Sequence, residues 1–144
     1  MNSDSILILG TGALATLFAA RLAAADVSVT MLGTWPEGLA ALNKKGVRVD
    51  GDDRVHHVRA TNNPAECKGM RFAIVLVKSW QTERASQQLS GCLSEEGVVL
   101  TLQNGLGNDS ILAWTLGLPL VARGVTTLGA TLLSPGLVCL GGDG

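Results

Sequence analysis

Hydrophobic positions near the start of the chain follow two different periods. Residues 5–9 are a short, mostly apolar run, which is typical of a strand covered on both faces of a sheet. Leu14, Phe18 and Leu22 then recur every four residues, as they do along one side of a helix. The chain is therefore predicted to begin with a strand, a glycine-containing turn and a helix.

The next segment repeats this alternation and then changes. Residues 27–32 form a second run rich in β-branched residues, and Pro36 stands where the first turn of a helix tolerates proline. Gly46 is a suitable stop for the helix that follows Pro36. Residues 47–49 and 55–61 alternate around an Asp-Gly turn signal, so the sequence predicts a small hairpin or meander there.

Apolar runs and helical patterns continue to alternate in the second half of the chain. We predict strands at residues 71–77, 98–102, 121–127 and 137–140, helices at residues 82–93 and 109–116, and at most a short helix after Asn63-Pro64. Strands separated by helices favour parallel pairing with right-handed crossovers. The predicted fold is a single α/β domain over residues 1–144, a Rossmann-type, doubly wound, mostly parallel sheet with helices on both faces.

Composition and charge exclude several classes of function. Hydrophobic residues make up 47% of the chain, and 11 Lys and Arg residues are nearly matched by 12 Asp and Glu residues. This balance predicts a well-packed core and offers no basic surface for nucleic acid. The longest apolar run is broken by glycines and charges, and no basic segment precedes it. We therefore expect no membrane partner, no signal peptide and a cytoplasmic location.

Cysteine and histidine positions give no pattern of a disulfide or a metal site. Cys67, Cys92 and Cys139 are odd in number and widely spaced, which predicts reduced, partly buried thiols. His56 and His57 are adjacent, so on a strand their side chains would face opposite sides. We therefore expect no bound metal.

A glycine-containing turn, "GTGALA", separates the first strand from the first helix. Gly10 permits a sharp exit from the strand, Gly12 leaves room for a pyrophosphate at the backbone, and Ala15 lets the helix pack closely on the sheet. The N–H groups at the start of the helix would face the phosphates. The motif predicts a dinucleotide-binding site that contains Gly10, Thr11, Gly12, Ala13, Leu14 and Ala15.

The end of the second strand bears on the choice of dinucleotide. An NAD site usually has a carboxylate about 20 residues after the glycines, to bind the ribose hydroxyls. Residues 32–34 carry none, so a 2′-phosphate would not be repelled there. Thr34 could donate one hydrogen bond, and Lys44, Lys45 or Arg48 could reach the phosphate or could equally be solvated surface charges. The residues alone leave NADP and NAD both open.

Three further segments give the sequence a more specific character. "VLVKSWQT" places Lys78 and Gln81 just beyond a buried strand, and "LTLQNGLGN" places Asn104 just beyond the next one. "GVTTLGATLLSPG", which contains Ala130, follows later. Together with "GTGALA", these segments resemble the N-terminal domain of the ketopantoate reductase (2-dehydropantoate 2-reductase) family over essentially the whole chain.

The resemblance implies an NADPH-dependent reduction of a small 2-oxo acid, such as ketopantoate, to a 2-hydroxy acid in pantothenate biosynthesis. It assigns cofactor contacts to Lys78, Gln81 and Ala130, and contacts with both the nicotinamide ribose and the substrate to Asn104. Thr34 falls where the family often has an arginine for the 2′-phosphate. Because the resemblance implies an NADPH-dependent reaction, we expect NADP as cofactor.

The same resemblance implies a second, helical domain that carries the catalytic lysine and most substrate-binding side chains. We expect that domain to be absent from residues 1–144, so that this chain holds no catalytic residue, binds nucleotide and shows little turnover. An uncovered apolar face would favour association of copies into a homo-oligomer. The alternatives are a free-standing dinucleotide-binding module without catalysis and the cofactor domain of another Rossmann dehydrogenase.

Overall fold

The computed structural model describes residues 4–141. Within them the strands are β1 (Ile6–Leu9), β2 (Val29–Leu32), β3 (Arg48–Val49), β4 (Arg59–Thr61), β5 (Met70–Val75), β6 (Leu93–Thr101), β7 (Val121–Arg123), β8 (Gly129–Ser134) and β9 (Leu137–Gly141). The helices are α1 (Ala13–Ala24), α2 (Pro36–Lys45), α3 (Thr82–Cys92) and α4 (Asn108–Leu116), with 3₁₀ turns at Pro64–Cys67, Ser79–Gln81 and Leu118–Leu120.

Six strands form a parallel sheet in the order β4-β2-β1-β5-β6-β7. The chain builds outward from β1 to β2 and β4, then returns to place β5 on the other side of β1. This reversal between β1 and β5 is a topological switch point, where open α/β sheets form a crevice beyond the carboxyl ends of their strands. The Rossmann-type sheet expected from the sequence is confirmed.

Apolar clusters cover both faces of this sheet. Leu7 and Leu9 of β1 pack in one cluster with side chains of α3 and α4, whereas Ile8 packs in the other with side chains of α1 and α2. Adjacent residues of β1 therefore point to opposite faces, and both faces are covered by helices. This explains why residues 6–9 are a continuous apolar run and not an alternating one.

A second, smaller sheet has the order β3-β9-β8. β3 is parallel to β9, and β8 is antiparallel to it. All three strands contact α1, so this helix lies between the two sheets.

The hairpin or meander predicted within residues 47–61 is only partly present. Its two halves share an isolated antiparallel bridge between Val47 and His56. Arg48 and Val49 pair instead with β9, and Arg59–Thr61 extends the large sheet as a parallel neighbour of β2. An alternating pattern shows that a segment is extended, but it does not identify the partner strand, and here both partners are distant in sequence.

The strand boundaries in the second half also differ from the prediction. β7 ends at Arg123 and not near residue 127, and β8 (Gly129–Ser134) was not predicted because its small residues resemble a turn. β6 begins at Leu93, several residues before the apolar run that predicted it. Met70 pairs with Leu93 ahead of an irregularity in the ladder, so polar residues 94–97 are held in the extended strand.

All three cysteines are unpaired, and two of them are neighbours. Cys67 and Cys92 are fully buried where the 3₁₀ turn after β4 packs near the end of α3. A hydrogen bond with Cys67, together with burial, raises the pKa of the Cys92 thiol. Cys92 therefore stays protonated and donates to the Pro64 carbonyl oxygen at 3.4 Å.

No helix within residues 4–141 is long and apolar enough to cross a bilayer. The same residues hold no group of three or more His, Cys, Asp or Glu side chains placed to share a metal ion.

Candidate functional site

The turn after β1 depends on glycine at residue 10. Gly10 has a φ of +124°, a backbone conformation that residues other than glycine rarely adopt. A Cβ at this position would lie 3.1 Å from the Leu76 carbonyl oxygen. The Gly10 N–H also donates to the Leu32 carbonyl oxygen at 2.9 Å, which ties the turn to the end of β2. The backbone of residue 10 is thus fixed between the ends of three adjacent strands.

Gly12 has a different role, at the N-terminus of α1. Its backbone is extended (φ −80°, ψ −165°), and a Cβ built there would meet no other atom within 4 Å. The first hydrogen bond in α1 runs from the Thr16 N–H to the Gly12 carbonyl oxygen at 3.0 Å. The N–H groups before Thr16 therefore have no partner within the helix. They lie at the positive end of a helix whose first turn contains no acidic residue.

Two adjacent pockets open at this helix terminus. The first, here called the Thr34 pocket, is lined by Gly10, Thr11, Gly12, Leu32, Gly33, Thr34, Trp35, Leu76, Val77, Lys78, Gln81, Arg84, Ala85 and Gln88. The second, the Asn104 pocket, is lined by Gly12, Ala13, Leu14, Leu76, Val77, Lys78, Ser79, Leu102, Gln103, Asn104, Leu128, Gly129 and Ala130. Because they share Gly12, Leu76, Val77 and Lys78, they form one crevice across the ends of β2, β1, β5 and β6.

The structure brings together nearly all the residues predicted from the sequence. Lys78 lies at the junction of the two pockets, with Thr34 and Gln81 on one side and Asn104 and Ala130 on the other. Ala15 is the exception, because it is fully buried between α1 and the sheet and does not line the crevice. The small side chain of Ala15 lets α1 pack closely on the large sheet.

Gln103 was missed as a site residue, although it belongs to the quoted "QNGLG" segment. Its side-chain amide donates to the Val77 carbonyl oxygen at 2.8 Å and to the Thr82 hydroxyl at 2.9 Å. Its amide oxygen accepts a hydrogen bond from the Thr101 hydroxyl at 3.0 Å. Gln103 therefore links the loop after β6 to the loop after β5 and fixes the floor of the Asn104 pocket.

Asn108 supports the same floor from the start of α4. It is almost completely buried and accepts a hydrogen bond from the Thr82 hydroxyl at 2.9 Å. Its amide group donates to the Asn104 carbonyl oxygen at 3.0 Å, and the Ser79 hydroxyl donates to the same oxygen at 3.1 Å. These bonds hold the main chain of Asn104, whereas its side chain is exposed at the pocket.

The cations of the Thr34 pocket are not the three that were considered from the sequence. Lys44, Lys45 and Arg48 do not line the pocket, because α2 leads away from Thr34 and β3 belongs to the small sheet. The cations that do line it are Lys78 and Arg84, and its lining contains no carboxylate. No sequence motif indicated Arg84, because it lies three residues beyond the recognisable "KSWQ" segment.

Packing also shapes the entrance of the Thr34 pocket. The Trp35 ring lies against Gly38 in the first turn of α2, where a Cβ would collide with it. The Thr11 side chain lies over Gly33, and a Cβ on Gly33 would be 2.6 Å from the Thr11 methyl carbon. Both glycines therefore let a neighbouring side chain form the wall of the pocket.

Strand order, switch point and crevice together define a Rossmann-type α/β domain, the class in which nucleotides bind at this edge of the sheet. The family model described as Ketopantoate reductase PanE/ApbA matches residues 6–144. The chain belongs to the ketopantoate reductase PanE/ApbA family.

Individual relatives agree with this assignment. The chain is 36% identical over 142 residues to a 2-dehydropantoate 2-reductase of Halobacterium salinarum, with 96% of this chain and 46% of that protein covered. The crystal structure of 2-dehydropantoate 2-reductase from Geobacter metallireducens GS-15 superposes with a TM-score of 0.87 at 30% identity, covering 96% of this chain and 46% of that one.

A third relative supports the fold alone. The ternary structure of D-mandelate dehydrogenase with NADH and anilino(oxo)acetate has a TM-score of 0.87 at 24% identity, again covering 96% of this chain and 46% of that one. The chain thus spans about half the length of the relatives it matches.

Proposed function

We propose that this chain is the NADP-binding domain of an oxidoreductase that uses NADPH to reduce a small 2-oxo acid, such as ketopantoate, to the 2-hydroxy acid. The observation that carries the proposal is the open N-terminus of α1, which faces a continuous crevice at the switch point of the sheet. Family membership and the names of the relatives support the choice of reaction.

The residues present fit a dinucleotide. Space at Gly12, unpaired N–H groups before Thr16 and the absence of an acid in the first turn of α1 suit a pyrophosphate. Lys78 adds a positive charge at the middle of the crevice, where the two pockets meet. The two pockets leave room for one nucleoside on each side of that point.

We assign the adenosine half to the Thr34 pocket and the nicotinamide half to the Asn104 pocket. When bound there, the reduced nicotinamide would supply a hydride to the ketone. The exposed Asn104 side chain would orient the nicotinamide ribose and the substrate, and Ala130 would pack against the cofactor. Gln103 and Asn108 would act indirectly, by fixing the loop that carries Asn104.

Proton donation is the part of the reaction that we do not assign to these residues. Reduction of a ketone needs an acid placed beside the developing alkoxide, which contributes about 10²- to 10⁴-fold to the rate. Lys78 is the cation at the middle of the crevice, and we place it beside the pyrophosphate. We therefore expect the isolated chain to bind nucleotide with little or no turnover.

A second candidate is the cofactor domain of another Rossmann dehydrogenase, one that uses NADH. The fold leaves this candidate open, because D-mandelate dehydrogenase has the same fold and its structure contains NADH. The absence of a carboxylate at residues 32–34 argues against it, because a ribose with two free hydroxyls would lack its usual acceptor. A binding module without catalysis would share the crevice and differ only in the reaction.

Titration of the purified chain with NADPH and NADH tests the proposal. Trp35 lines the Thr34 pocket, so binding should quench its fluorescence. A Trp35→Phe variant should lose the signal and still bind in calorimetry, which would identify Trp35 as the reporter. If neither dinucleotide binds at millimolar concentration, the proposal is overturned.

A turnover assay completes the test. Loss of NADPH absorbance in the presence of ketopantoate should be slow or undetectable with residues 1–144 alone. Rapid turnover would show that a proton donor lies within these residues, and it would contradict our expectation for the isolated chain.

A further inference from the structure

Arg84 is a charged side chain of the Thr34 pocket that no sequence motif marked. It lies in the first turn of α3 and lines the pocket together with Thr34 and Gln88. Arg84 is exposed and forms no ion pair with any residue between 4 and 141. Its charge is therefore free to meet an anion that enters the pocket.

The position of Arg84 is unfavourable for the helix that carries it. The N-terminus of a helix is its positive end, so a cation in the first turn opposes the helix dipole. Glu83 has the favourable charge in the same turn and does not line the pocket. A locally unfavourable residue that faces a cavity suggests a role in binding rather than in folding.

Thr34 indicates which part of a dinucleotide would reach this position. It follows β2, the place at which Rossmann domains contact the 2′ position of the adenosine ribose. Arg84 enters the same pocket from the opposite side, beyond β5. A planar guanidinium can give two parallel hydrogen bonds to a phosphate, and the Thr34 hydroxyl can give a third.

We propose that Arg84, together with the Thr34 hydroxyl, binds the 2′-phosphate of NADPH and makes the chain prefer NADPH to NADH. The phosphate-binding arginine would thus come from α3 and not from the end of β2. This inference rests on the proposed function, since it requires a dinucleotide in the crevice.

Calorimetric titration of Arg84→Gln with NADPH and NADH tests the inference. Loss of charge-assisted hydrogen bonds should weaken NADPH binding by about 10- to 100-fold and leave NADH binding unchanged. Arg84→Lys keeps the charge but loses the paired geometry, so its NADPH affinity should fall between those of the wild type and Arg84→Gln. Lys45→Gln is the matched control, because it removes an exposed charge outside the pocket and should change neither affinity.

The possible results separate the inference from the proposed function. If the wild-type chain binds neither dinucleotide, the proposed function fails. If the wild-type chain binds NADPH, and Arg84→Gln either leaves this affinity unchanged or lowers the affinities for NADPH and NADH equally, the inference fails and the proposed function stands. An unchanged unfolding midpoint for Arg84→Gln would show that weaker binding does not reflect a damaged fold.

Discussion

Replacement of Gly12 by alanine should weaken nucleotide binding while leaving stability almost unchanged. The backbone of Gly12 is extended, and its Cβ would meet no atom within 4 Å, so alanine fits without strain. Loss of glycine as the helix cap lowers the free energy of unfolding by about 1 kcal/mol at most. Alanine also lowers the entropy of the unfolded chain, which raises the free energy of unfolding by about 0.4–1 kcal/mol. The free energy of unfolding should therefore change by less than about 1 kcal/mol.

Binding should change much more, because the added methyl group would occupy the space in front of the unpaired N–H groups of α1. A pyrophosphate held away from the backbone would lose one or two charge-assisted hydrogen bonds, each worth about 1.5–3 kcal/mol. The dissociation constant for NADPH should then rise by at least about 10-fold.

Gly10→Ala provides the contrasting variant. At a φ of +124° and 3.1 Å from the Leu76 carbonyl oxygen, its methyl group would be strained. Leu76 cannot move away freely, since its N–H donates to the Leu9 carbonyl oxygen at 2.9 Å. We expect a loss of stability on the order of 1–3 kcal/mol.

Urea denaturation and calorimetric NADPH titration of both variants would check these values. Tight NADPH binding by a stable Gly12→Ala protein would refute the assignment of the pyrophosphate to the start of α1. A Gly12→Ala protein as unstable as Gly10→Ala would refute the steric argument instead.

Further variants test other parts of the site. Thr34→Asp should weaken the binding of NADPH, because the carboxylate would repel the 2′-phosphate, and it should strengthen the binding of NADH. Equal changes in both affinities in calorimetry would contradict this. Gln103→Leu leaves the Thr82 hydroxyl and the Val77 carbonyl without their amide partner, and should lower the free energy of unfolding by about 1–3 kcal/mol in urea. Leu106→Ser should reduce any self-association in sedimentation, because Leu106 is 95% exposed; a monomeric wild-type chain would rule this out.

Local patterns predicted the large sheet and the glycine turn well. The apolar run before Gly10 and the four-residue spacing after it depend only on neighbours in sequence, and Lys78 and Asn104 followed from their positions after buried strands. Parallel strands end at one edge of a sheet, so residues that follow them converge without further information.

The small sheet and the pocket charges could not be predicted in this way. β3 pairs with β9, almost 90 residues later, and nothing in either segment identifies its partner. Arg84 reaches the Thr34 pocket only because β5 and β2 flank β1 on opposite sides. Gln103 and Asn108 likewise acquire their roles from contacts between two separate loops.

The packing of Thr11 over Gly33 links two positions that are far apart in sequence. A larger residue at 33 would need the threonine methyl group to move by several tenths of an ångström or to be removed. Anyone redesigning the cofactor preference of this domain therefore has to alter both positions as a pair, with serine or alanine at 11 making room for a side chain at 33.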